Sequence, residues 1–76
     1  MSLETFIVKF SELFDDTDPS EISANTKFHE LDEWSSLIAL SVIAMVDEEF
    51  DVSIKGDDVI NAITVEDLYQ NIIDKC

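Results

Sequence analysis

Apolar residues open the chain at steps of three and four: Leu3, Phe6, Ile7, Phe10, Leu13 and Phe14. That spacing predicts one helix over residues 2–14, with a single stripe turned to a core. Ser2 is placed to cap it and Glu4 suits its first turn. The run from Ser35 to Phe50 reads differently, because it is apolar on two faces. Ala39, Val42, Ile43, Val46 and Phe50 make a stripe for the core, and Met45 is a gap-filler. Leu37, Leu40 and Ala44, joined by Asp47 and Glu48, fall on another face. Such a helix is either sandwiched between others or carries a docking surface. A short helix follows at 57–61, with Asp57 and Asp58 at its positive end. The last helix, 64–75, carries Val65, Leu68, Tyr69, Ile72 and Ile73 on one side. Thr64 is its cap and Asp67 the acidic partner of a box-like start, with Ile63 and Leu68 spaced as a hydrophobic staple.

Residues 15–34 break this regularity. Asp15, Asp16, Thr17, Asp18 and Pro19 end the first helix. Asp18-Pro19-Ser20-Glu21 reads as one short turn with Asp18 as its cap. Ile22, Phe28, Leu31 and Trp34 are apolar anchors along the rest. An ordered loop of this length in a small domain usually has a task. Here the task is to deliver the chain to Ser35 and Ser36 at a fixed angle. His29, without other ligand types beside it, reads as a surface or packing residue and not as a metal ligand. With no alternating strand pattern, the class is all-α: four helices, the third short, with a long loop between the first and second. Residues 1–76 are read as one domain.

Charge narrows the partners. Eighteen acids against four lysines give a formal net charge of −14 at pH 7. Such a chain repels phosphate backbones and anionic lipid, which excludes nucleic-acid binding and membrane insertion as expectations. Basic protein surfaces are its natural partners, met through salt-sensitive steering. Hydrophobic residues are 46% of the sequence, enough for a core despite the charge. Self-repulsion should be relieved by salt or magnesium. Cys76 is the only cysteine, so no intrachain disulfide forms, which fits a reducing compartment. With no signal-peptide pattern in MSLETFIVKF and no span-length apolar stretch, the expectation is a cytoplasmic monomer.

Several chemistries fail on the residues. One histidine, one terminal cysteine and no basic residue near Ser35 or Ser36 leave no activated nucleophile, so the chain is not read as an enzyme. The run from Asp51 matches a calcium loop at Ser53 and Gly56, but Lys55 and Ala62 stand where oxygen ligands belong. A single glycine, Gly56, cannot build a phosphate loop. What remains is a pair of serines at a helix start. They are caps on the plain reading. A helix amino end is also a seat for phosphate, and another enzyme would have to install it.

The stretch SSLIALSVIAMVDEEFDVSI, followed by a short Asp-rich helix and ITVEDLYQNI, resembles the acyl carrier protein family over essentially the whole chain. That family is a small four-helix bundle with a short third helix. Its attachment serine lies in an Asp-Ser-Leu motif, fourteen residues before the phenylalanine of a Glu-Glu-Phe ending. Counting back from Phe50 gives Ser36, followed by Leu37. The resemblance implies an acyl carrier protein and not an enzyme. A phosphopantetheinyl transferase would attach 4′-phosphopantetheine from coenzyme A to Ser36, with Ser35 the lesser candidate. The arm's thiol would hold an acyl or aminoacyl group as a thioester for loading and transfer enzymes with basic docking surfaces. Leu37, Leu40, Ala44, Asp47 and Glu48 would form the docking face. A fatty-acid or secondary-metabolite pathway is the setting implied.

Three departures stand out. Ser35 replaces the family's aspartate, which keeps a cap and removes a charge. Ile38 and Ser41 are uncharged where the family often has acids, which argues for partners outside standard fatty-acid synthesis. Trp34 precedes the motif where glycine is usual, and reads as a loop anchor. Two rivals remain open: an aminoacyl or peptidyl carrier in a dedicated pathway, and an unmodified acidic helical adaptor.

Overall fold

The computed structural model describes residues 2–75. Met1 and Cys76, the sole cysteine, lie outside the described residues. Four α-helices follow one another: α1 (Leu3–Ser11), α2 (Ser36–Phe50), α3 (Gly56–Asn61) and α4 (Val65–Ile73). Short 3₁₀ turns at Pro19–Glu21 and Phe28–Glu30 punctuate the long loop. No strand occurs among the described residues, so the all-α bundle with a short third helix is the observed class.

The stripe on α1 is what builds the core. Phe6 and Phe10 are fully buried and Phe14 nearly so. α1 stops at Ser11, three residues before the predicted end. There the bonding tightens: Leu13 N–H donates to Phe10 O at 3.1 Å and Phe14 N–H to Ser11 O at 3.2 Å, while the Ser11 hydroxyl donates to Val8 O at 2.8 Å. The chain leaves the helix in a narrower turn but keeps Phe14 on the inner side. Phe6 packs on Phe10, Phe50 and Tyr69 with ring centroids 5.8–6.0 Å apart. Phe10 meets Phe28 edge-on at 5.6 Å, and Phe28 meets Trp34 at 4.8 Å. A continuous aromatic line thus runs from the α1–α4 side to the residue just before Ser35.

On α2, Val42, Met45 and Val46 are the buried positions, with Ala39, Ile43 and Phe50 packed half-buried against them. Met45 is therefore core, a larger part than gap-filling. α4 buries Val65, Leu68 and Ile72. Its box forms as the sequence predicts: Asp67 N–H donates to Thr64 Oγ1 and Thr64 N–H to Asp67 Oδ2, both at 3.1 Å. The staple does not form, because Ile63 stays 60% exposed while Leu68 is fully buried. Ile63 sits in the turn from α3, where the chain path carries its side chain outward.

The long loop is ordered by contacts at three places. Ile22 and Phe28 are buried in the core. Its carbonyls at Thr26 and Ala24 accept from Val65 and Glu66 N–H at 3.1 and 3.0 Å, serving donors that α4 leaves free in its first turn. Glu33 closes the loop's beginning on its end. Its carboxylate accepts from Asp15 N–H at 2.8 Å, Asp16 N–H at 3.0 Å and the Thr17 hydroxyl at 2.9 Å. Loss of water raises the Glu33 pKa, but these bonds outweigh that and hold it below the usual glutamate value.

Candidate functional site

Four consecutive residues lead into α2, each held differently. Glu33 is tied by its carboxylate, as above. Trp34 lies half-buried against Phe28 and Phe14. Ser35 is extended and caps the helix: its Oγ accepts the Ile38 N–H at 3.3 Å, and its carbonyl takes the Ala39 N–H at 3.0 Å. Ser36 is the first helical residue, exposed, and its hydroxyl has no hydrogen-bond partner among the described residues. The two adjacent serines thus differ, with Ser35 in the cap role expected of it. One hydroxyl is engaged by the backbone and the other is free.

The electrostatic setting of Ser36 is a helix amino end with no acid in its first turn. No charged residue occurs between Ser35 and Val46. The positive end of the dipole is therefore uncompensated where the free hydroxyl stands, which suits a bound phosphate diester. The only histidine, His29, has its Nε2 at 3.1 Å from Val59 O and 3.0 Å from Ala62 O, so that nitrogen is engaged with backbone oxygens. No group of three or more His, Cys, Asp or Glu side chains among the described residues is arranged to hold a metal.

Beside Ser36 lies an open groove of about 660 Å³ between α2 and α3. Ala39, Leu40 and Ile43 form one wall, and Val59 and Ile60 the other, with His29 and Trp34 at the end. Ile60 is 69% exposed on its lip.

The residues read as a docking face are all exposed, Leu37 at 73% and Leu40 at 63%. The structure does not gather them into one hollow. Leu40 borders the α2–α3 groove, whereas Ala44 and Glu48 border a shallower one between α1 and α2. They form a ridge between two grooves. Glu49, the neighbouring acid, is paired with Lys9 of α1 at 3.4 Å. Asp47 and Glu48 carry no ion pair among the described residues.

His29, read as a surface or packing residue, is exposed and packs on Phe28 and Trp34, but its bonds to the α3 end, like the role of Glu33, were not foreseen. Both act on backbone atoms distant along the chain, and no local pattern marks them. Asp51, the first position of the rejected calcium loop, is instead the left-handed cap that ends α2, with φ 57°.

The structure thus joins a helical bundle to an exposed serine hydroxyl at a helix amino end, beside an apolar groove. The family model described as phosphopantetheine attachment site matches residues 5–72, and the chain belongs to that family. It is a phosphopantetheine carrier, and the group is held covalently. Comparisons with curated proteins and with solved structures give no match. The residues present fit the group: a solvent-facing hydroxyl, free helix N–H groups for the phosphate and an apolar groove alongside.

Proposed function

We propose that the chain is an acyl carrier protein modified on Ser36. The observation that carries the choice is the division of labour between the serines. Ser35 Oγ is occupied by the Ile38 N–H, while Ser36 Oγ is exposed and unengaged. The register from Phe50 back to Ser36 supports the same position. When bound, the group supplies a flexible arm whose terminal thiol holds an acyl or aminoacyl cargo as a thioester. The chain's own residues present the attachment oxygen, and the amino end of α2 stabilises the phosphate next to it.

Modification requires a phosphopantetheinyl transferase and coenzyme A. Loading and transfer enzymes then meet the α2 ridge, where Leu37, Leu40 and Ala44 give an apolar contact and Asp47 and Glu48 pair with lysine or arginine. A tethered cargo is present at high effective concentration wherever the carrier binds. Weak, salt-sensitive docking allows one partner to replace another. The uncharged first half of α2 favours a dedicated pathway, which includes aminoacyl cargo as the second reading. The cytoplasm, where coenzyme A is available, is the location that suits this reading.

Mass spectrometry after incubation with coenzyme A and a broad-specificity transferase tests the proposal. The wild-type and Ser35→Ala chains should gain one phosphopantetheine and Ser36→Ala none. Modification of Ser36→Ala would move the site to Ser35. An unmodified wild type would favour the acidic adaptor.

A further inference from the structure

α3 is the helix least able to hold itself in place. It is six residues long and buries only Val59. Its last carbonyls have no partners within the helix, and side chains from two other elements supply them. Asn71 Nδ2 of α4 donates to Asp58 O at 3.2 Å. His29 Nε2, from the long loop, lies 3.1 Å from Val59 O and 3.0 Å from Ala62 O. Carbonyl oxygens only accept, so Nε2 carries the proton and donates a bond shared between the two. The ring is fixed for that task by Phe28 at 4.3 Å and by Trp34, edge-on, at 5.1 Å. Phe28 itself is fully buried, while His29 lies exposed over it. The same imidazole lines the groove beside Ser36.

We propose that His29 is the positioning residue of the groove. By donating to Val59 and Ala62 it pins the carboxyl end of α3 to the loop segment that delivers Ser36. The pin sets the distance between the α2 and α3 walls, and with it the size of apolar group that fits there. The nearest other tie, Asn71, pulls α3 toward α4 and not toward the loop. This inference deepens the carrier reading, yet its test uses the unmodified chain. A wrong attachment serine would therefore leave it standing, and its own failure would leave Ser36 untouched.

Nitrogen-15 NMR of the wild type should show His29 with its proton on Nε2; a proton on Nδ1 alone would overturn the proposal without any variant. His29→Phe keeps a ring against Phe28 and Trp34 but has no donor. In that variant, exchange of the Ile60–Ala62 amides should rise roughly fivefold to tenfold, as expected for the loss of one hydrogen bond, with α4 amides unchanged. Uptake of the neutral apolar dye N-phenyl-1-naphthylamine should rise as well, shifting the Ile43 and Val59 signals. His29→Arg, whose guanidinium donates to two acceptors at once, should restore both readouts. Unchanged exchange and dye uptake in His29→Phe would refute the pin. Equal disturbance in the Phe and Arg variants, or faster exchange throughout the chain, would refute it too, since ring shape or general stability would then be the cause. Should His29→Phe fail to fold, the wild-type tautomer decides.

Discussion

α3 and α4 are neighbours of similar design that hold themselves in opposite ways. Both begin with acids that bond back to the backbone, Asp58 to the Lys55 N–H at 2.8 Å and Asp67 to the Thr64 N–H at 3.1 Å. α4 then buries three large residues along one face and takes loop carbonyls onto its first turn. α3 buries one and borrows its remaining ties from His29, Asn71 and the Lys75–Asp58 pair at 3.5 Å. The lesson is that apolar burial makes an element part of the cooperative unit, whereas borrowed polar ties make it separable. The separable helix is the one that walls the groove beside Ser36.

The largest effect should come from attacking α4 through its core. Leu68→Ala removes a fully buried side chain and should cost about 2–5 kcal/mol. Chemical denaturation should show α1, α2 and α4 failing together; survival of α1 and α2 after α4 is lost would break the comparison. Thr64→Ala removes the α4 cap and should cost about 1 kcal/mol, again felt globally in the melting temperature. Asn71→Ala sits on α4 but acts on α3, so about 1 kcal/mol should be lost there. Hydrogen exchange should place that loss in the α3 amides and leave the α4 amides slow.

A smaller effect is expected at Glu33, which is held below the ordinary value of 4.5 in the folded chain. Its contribution is complete above pH 4.5 and is lost as pH falls through the lower folded pKa. Wild type and Glu33→Gln should therefore differ in stability at neutral pH and converge in acid. A constant difference at all pH values would show that the buckle depends on shape and not on charge. Smallest and most diffuse, added salt or magnesium should raise the melting temperature by relieving the net charge of −14.

Periodic features were readable from the sequence and long-range polar features were not. The stripes of α1 and α4, the Thr64–Asp67 box and the Asp18 turn follow from residues three or four apart. The two-faced character of α2 was also legible, with Leu37 and Leu40 exposed opposite Val42 and Val46. Met45 took a core place because α2 is embraced by α1 on that side, which a single-helix projection does not contain. Ile63 pointed outward because the direction of the α3–α4 turn depends on tertiary path. His29 and Glu33 bond to groups tens of residues away or across the loop, so their partners have no signature near them. For the candidate site, register from Phe50 pointed to Ser36 and residue type to Ser35 as the cap, but the groove alongside, walled by α3, needed three dimensions.

The run Glu33, Trp34, Ser35, Ser36 is a gradient of constraint that ends in a free oxygen. That oxygen takes part in no hydrogen bond among the described residues, so substitution upon it would break none of the fold's own bonds. A phosphate carried there would meet the positive end of α2, a partner that the unfolded chain lacks, so loading would favour the folded chain.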